Sequence, residues 1–266
     1  MKNNPFEAHG IKALSPTQIN KFRRSPARWL TNVAGFKDRL FKPAFTYGNA
    51  IEQGITHAVM VDSSFNECVE KAMNEFDKIR KIKPDDYDWD LHNRKQNRVH
   101  DVLADMIPEY KKLGVPTEAQ LKVNWTFDDS PIEIIGIIDL LYEDCVRDLK
   151  TASQRPKDVS DDYCLQLSFY SQCVALPPFV DYIYSTTKIQ ELISFEINDV
   201  KKHINDIKRI VGKMTRLLSL SDDIEEVCYL SCLEPNLSND NFYDFWTPTE
   251  IEGAKQLFDI DNRRIK

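Results

Sequence analysis

Long apolar runs are missing from this sequence. No stretch approaches the roughly 18 residues that a membrane-spanning helix needs, so neither a transmembrane segment nor a membrane partner is expected. The opening residues, MKNNPFEAHG, contain no apolar core of the kind a secretory leader requires. Cysteine is sparse. Six residues (Cys68, Cys145, Cys164, Cys173, Cys228 and Cys232) among 266 do not make a disulfide framework, and reduced thiols in a cytoplasmic setting are the expectation. Eight Gly and 13 Pro exclude a collagen-like or low-complexity chain. No phosphate-binding loop of the G-x-x-x-x-G-K-[ST] type occurs, so no motor function is expected. What remains is an ordinary globular composition, 42% apolar and 29% charged, long enough for a large core. There is no internal repeat and no long Gly/Ser linker to mark a domain boundary.

Negative charge prevails: 35 Lys and Arg stand against 42 Asp and Glu, a net of −7. Taken whole, this argues against a nucleic-acid partner. The distribution argues otherwise. Residues 1–43 carry nine basic groups (Lys2, Lys12, Lys21, Arg23, Arg24, Arg28, Lys37, Arg39, Lys42) against Glu7 and Asp38, a net of +7, which leaves −14 for the rest. A basic arm on an acidic body suits an anionic partner held at one place, the alternative being a solvated basic helix face.

Ser15-Pro16-Thr17-Gln18 is a helix start, with Ser15 as cap, Pro16 in the first turn and Gln18 completing a capping box; Leu14 and Ile19 are spaced for a hydrophobic staple. That helix runs toward Pro26 and Trp29, where Trp29 is either a packing residue or a stacking platform. Helices are predicted over 46–60, with Glu52 at the margin of the apolar face, over 65–80 and over 91–113. The period then changes to two. Leu121, Val123, Trp125 and Phe127 alternate with polar residues as in a half-buried strand, and 132–142 is nearly all apolar, as in a central strand covered on both faces. Glu143-Asp144 is a two-residue turn before a strand from Cys145 to Lys150. A helix over 161–176, strands around 180–184 and 192–197, a long amphipathic helix over 199–219 and a short one over 248–259 complete the pattern. Trp246 is expected to pack rather than to stack on a base. The order fits one central mixed sheet in an α/β or α+β arrangement.

One constellation carries chemistry. Asp139 ends an apolar run, and a carboxylate there is costly without a partner or a metal. Asp148 and Lys150 lie two apart on the next strand and share a face, and the tight turn brings Asp139 near Asp148. Two adjacent carboxylates repel unless a cation sits between them, and oxygen ligands select Mg²⁺ or Mn²⁺. The alternative is a structural ion pair on a hairpin. Acidic-x-Lys also begins at Glu109, Asp199 and Asp206, but only the one at Asp148 follows a buried strand with its own acid. Gln166 and Tyr170, four apart, share one face of the following helix.

In order, LSPTQINKFRRSPARWL, YGNAIEQ, GIIDLL, DLKTA and QLSFY resemble the signature segments of the PD-(D/E)XK nuclease superfamily, in its RecB-like and lambda-type phage exonuclease branch. The resemblance covers roughly 14–170. It implies an α/β fold with a restriction-endonuclease-like core, a central mixed β-sheet flanked by helices, and an N-terminal helical region. It implies a single nuclease domain over 1–266: a mainly helical part where DNA enters (1–115), the catalytic sheet and helix (116–200) and a C-terminal helical part (201–266). By the same resemblance Glu52, Asp139, Asp148 and the carbonyl of Leu149 would hold one or two Mg²⁺ or Mn²⁺ ions, with His57 as the alternative ligand to Glu52. Lys150 would orient or activate the attacking water, Gln166 and Tyr170 would support the site, and Arg23, Arg24 and Arg28 would grip phosphates. Iron–sulfur relatives place Cys before the Pro of the opening motif; this chain has Ser25, so no iron–sulfur cluster is expected. Cys228 and Cys232 lack the further pair that zinc needs. The implied activity is metal-dependent hydrolysis of DNA, as an exonuclease of phage-type recombination or DNA degradation in the (host) cytoplasm, with a homo-oligomer or a recombination protein as partner. An endonuclease on the same fold and a catalytically silent DNA-binding subunit are the alternatives.

Overall fold

A computed structural model describes residues 4–237 and 246–258; Lys2 of the basic arm and Asp259 of the expected last helix lie outside them. The elements are α1 (Pro5–Ala8), α2 (Pro16–Arg24), α3 (Pro26–Val33), α4 (Pro43–Met60), α5 (Phe65–Ile82), α6 (Trp89–Gln96), α7 (Val99–Lys112), β1 (Glu118–Trp125), β2 (Ile134–Leu141), β3 (Val146–Ala152), α8 (Asp161–Val174), β4 (Pro178–Ser185), β5 (Gln190–Glu196), α9 (Val200–Leu218), α10 (Ile224–Leu230) and α11 (Pro248–Leu257). They group into two compact units. One draws on Met1–Arg39, Asn124–Gly136 and Lys201–Lys266, the other on Leu40–Val123 and Ile137–Val200.

The sheet runs in the order β1-β2-β3-β4-β5. β2 and β3 are antiparallel across the tight turn, with Leu141 opposite Val146 and Leu140 opposite Arg147. β3 and β4 are parallel, as the crossover helix α8 between them requires, and β5 returns antiparallel to β4. The sheet is mixed and flanked by helices, an α/β fold of the restriction-endonuclease-like type. β3 is the middle strand. β2 lies second from the edge, and Ile135 and Ile137 are 45% and 44% exposed, so the apolar run is not covered on both faces. In β1 burial alternates along the strand as the period of two predicts.

The core of the sheet-bearing unit joins Leu140, Leu149 and Ile183 of the sheet to Ile51, Ile55 and Val59 of α4 and to Val102, Leu103 and Met106 of α7. Close packing here depends on Gly54, since a Cβ at that position would lie 2.7 Å from Leu103. The predicted helix over 91–113 is two helices. At the junction Arg98 turns its guanidinium to Ser185 Oγ (2.5 Å) and the Thr186 carbonyl (2.6 Å) at the end of β4.

In the other unit the Ser15 capping box forms as read. Ser25 then ends α2 and caps α3, because Pro26 lacks an N–H and disfavours helical backbone before it. Trp29 is buried edge-on to Phe22 at 5.3 Å, which makes it a packing residue. Trp246 is buried too. The Leu14–Ile134 bridge ties the segment before α2 to the start of β2.

Candidate active site

The β2–β3 register, continued by one residue beyond Leu140–Arg147, sets Asp139 across from Asp148. The ladder changes character there. Leu149 donates its N–H to Asp139 Oδ2 at 2.8 Å, so the side chain occupies the donor that a strand neighbour's carbonyl would otherwise take. This fixes Asp139 in a buried position. Asp148 is 1% exposed and shares its face of β3 with Lys150, whose ammonium meets Asp148 Oδ2. The Lys150 ammonium also lies 5.2 Å over the Tyr163 ring.

From α8, the Gln166 amide donates to Asp148 Oδ1 at 3.0 Å and to the Tyr170 hydroxyl at 2.9 Å. The spacing of four that places both side chains on one helical face makes that relay possible. From α4, Glu52 reaches the same cluster; its Oε1 accepts from Gln120 Nε2 at 2.8 Å. Gln120 was not singled out by its sequence pattern. It sits in β1 with φ +53, a left-handed conformation that L residues resist, and this turn of the backbone accompanies the aim of its side chain at Glu52. His57, further along α4, adds slightly to the favouring of the charged form of Glu67 on α5, after the hydrogen bonds from Ser64.

The electrostatics follow from three carboxylates around one ammonium. Burial and repulsion from Asp148 raise the Glu52 pKa despite Lys150. Burial raises Asp139 further, with Asp148 and Glu52 adding to it. Burial works against the Lys150 charge, but Asp148 and then Asp139 outweigh it and hold the lysine protonated. A divalent cation is the charge this set lacks. Among the described residues no three His, Cys, Asp or Glu side chains form a ready-made metal cage. Oxygen donors of this kind fit a hard cation such as Mg²⁺, which keeps several of its waters. Each carboxylate has one oxygen oriented by a neighbour: Gln120 for Glu52, Leu149 N–H for Asp139 and Gln166 for Asp148.

The basic arm divides on inspection. Arg23 and Arg24 are exposed on α2. Arg28 is not a phosphate contact as it stands, because it is buried with its Nε and Nη2 on Glu250 Oε2 at 2.9 and 2.8 Å. In the same unit an open cleft of about 620 Å³ collects Lys12, Lys21 and Lys37, of which Lys21 also pairs with Glu250 at 3.8 Å.

A buried pair of acids and a lysine lie on adjacent strands of a mixed sheet of the restriction-endonuclease-like class, with a helix-borne acid electrostatically coupled to them. The chain belongs to the PD-(D/E)XK nuclease superfamily, whose family model matches residues 13–211. Members of this family act on DNA and generally use divalent metal ions. Among solved structures the chain is similar to a candidate exonuclease from Eubacterium rectale, with a TM-score of 0.58 at 11% identity over 82% of this chain and 86% of that one; this likeness is one of fold. The protein SSO0001 matches at a TM-score of 0.33 and 13% identity over 65% of this chain and 84% of that one. A comparison with curated protein sequences finds no significant match.

Proposed function

We propose that the chain is a metal-dependent deoxyribonuclease, and an exonuclease in preference to an endonuclease. The observation that carries the first part is the convergence of Glu52, Asp139, Asp148 and Lys150, with one cationic side chain for three acids. Exonuclease action is supported by the resemblance to the RecB-like and phage branch and by the likeness to the Eubacterium rectale protein.

In this reading Glu52, Asp139, Asp148 and the Leu149 carbonyl hold Mg²⁺ or Mn²⁺. The bound ion supplies Lewis-acid polarisation of the phosphate and a more acidic water. The chain's own residues do the rest. Leu149 N–H and Gln166 hold the two aspartates in place, and Gln120 holds Glu52. Tyr170 fixes Gln166 in turn. Lys150 orients or activates the attacking water and stabilises the charge that builds on the oxygens of the scissile phosphate. Arg23 and Arg24, with the lysines of the cleft, engage backbone phosphates.

Digestion of linear and closed circular DNA with Mg²⁺ or Mn²⁺ tests this. Loss of linear DNA alone is the expected result; equal cleavage of circles makes the protein an endonuclease. Undiminished activity in Lys150→Ala overturns the assignment of the site.

A further inference from the structure

The sequence after about 200 has no motif that the proposed activity uses, yet α9 is strongly one-sided in charge. Its stripe of Ile204, Ile207, Ile210, Val211, Met214 and Leu218 is buried. Its other face exposes Lys201, Lys202, Lys208, Arg209, Lys213 and Arg216, against the single acid Asp206. At 3.6 residues per turn the six cations fall within an arc of about 140° and extend over about 22 Å. Arg209 pairs with Asp206 at 2.8 Å; among the described residues no ion pair engages the other five. Solvated faces elsewhere in the chain look different, mixing signs in pairs such as Lys78–Glu75 and Arg80–Asp77 on α5.

Two further observations point to a ligand. Lys208 Nζ stands 5.7 Å from the Trp125 ring and 5.6 Å from the Phe127 ring, which are themselves 5.2 Å apart, so cation and aromatics are interleaved at one edge of the face. Gly212 lies amid the cations. A Cβ there would meet nothing within 4 Å, so packing does not call for glycine, although alanine is the better helix former. Bare helical backbone among cations is a place for close approach.

We infer that this face binds single-stranded DNA, phosphates along α9 and bases against Trp125 and Phe127. The inference rests on the nuclease reading for its choice of ligand. Charge complementarity selects a polyanion, and the aromatic pair selects a strand with unstacked bases over a duplex. A membrane surface is the poorer fit, because the apolar stripe of α9 is buried and has nothing to insert.

The test uses the full chain in chelator, where hydrolysis is silent, and a labelled oligothymidylate of about 20 nucleotides followed by anisotropy across a salt series. In Lys201→Ala/Lys208→Ala/Lys213→Ala the expected result is at least a tenfold loss of affinity, with the slope of log K against log salt shallower by about 2. Gly212→Ala should bind more weakly with no loss of thermal stability. Hydrolysis of bis(p-nitrophenyl) phosphate in Mn²⁺ should be equal in wild type and triple variant, which separates this surface from the active site. No hydrolysis by either would instead count against the nuclease reading. The inference is overturned if the triple variant keeps wild-type affinity and slope, if a duplex of equal length binds as tightly, or if the lysines retain anionic phosphatidylglycerol vesicles and not the oligonucleotide.

Discussion

Lys150 shows how much one side chain is asked to do. Among the described residues it is the ammonium that meets Asp148, and Asp148 and then Asp139 favour its charged form. Lys150→Ala should lower the rate on linear DNA by about 10²–10³-fold, the loss expected when one preorganised donor is removed. Lys150→Arg should not restore it, because a planar guanidinium cannot sit where a compact ammonium does. Initial rates at saturating Mn²⁺ measure both. Gln166→Ala tests the layer behind. Without the amide that orients Asp148, metal affinity should fall by about 10–100-fold while the fold persists, as titration calorimetry would show. Gln120 separates stability from function more sharply. Gln120→Gly relieves a left-handed φ that costs an L residue about 1–2 kcal/mol, and it deletes the donor to Glu52. Thermal stability should hold or rise while metal affinity drops; a fall in both would mean that the Gln120 side chain is chiefly structural.

Between elements, the contact that sequence reading missed is the one between α3 and α11. Glu250 accepts from Arg28 and from Asn32 Nδ2 at 2.8 Å, and its own helix cap at Thr247 N–H adds a third donor. Burial pushes the Glu250 pKa up, but these donors and the Arg28 charge overcome it and the net shift is downward. A lowered carboxylate contributes stability in full above its unfolded value, about 4.3, and loses it as pH falls through the folded value. Glu250→Gln should therefore flatten the acid side of a stability-versus-pH curve. Glu250→Ala should cost about 3–5 kcal/mol in denaturant melts by leaving Arg28 buried and unpaired. The partners are 222 residues apart in sequence. That separation explains why Arg28 reads as a phosphate contact: its charge is local, and its acid is not. The legible features were local ones. Ser15 and Gln18 form their box within four residues, and Asp139, Asp148 and Lys150 follow from a period of two and a two-residue turn. Glu52 was found through the resemblance, since at the margin of an apolar helical face nothing else singles it out. The turn at Gln120 and the exposure of Ile135 and Ile137 were hidden, because one depends on a single φ and the other on the strand's place in the sheet.

At the scale of the molecule, net charge misleads because the charged features fall in two different units. The carboxylate cluster belongs wholly to the unit of Leu40–Val123 and Ile137–Val200, whereas Arg23, Arg24, the lysine cleft and α9 belong to the other. The two ligands of a nuclease, cation and DNA, should then leave separate marks on amide hydrogen exchange. A ligand protects what it binds by RT ln(1 + [L]/Kd), about 2.7 kcal/mol at a hundredfold excess over Kd. Mn²⁺ alone should slow exchange in β2, β3, α4 and α8, where its ligands and their supports lie, and leave α2, α3 and α9 as they were. Oligothymidylate in chelator should do the reverse, slowing α9 and the residues around Trp125. The Asp139→Asn/Asp148→Asn double variant should lose the first effect and keep the second. If Mn²⁺ protected α9, or if the oligonucleotide protected only β2 and β3, the assignment of cation and strand to different units would fail. The negative total would then have to be explained by one site carrying both.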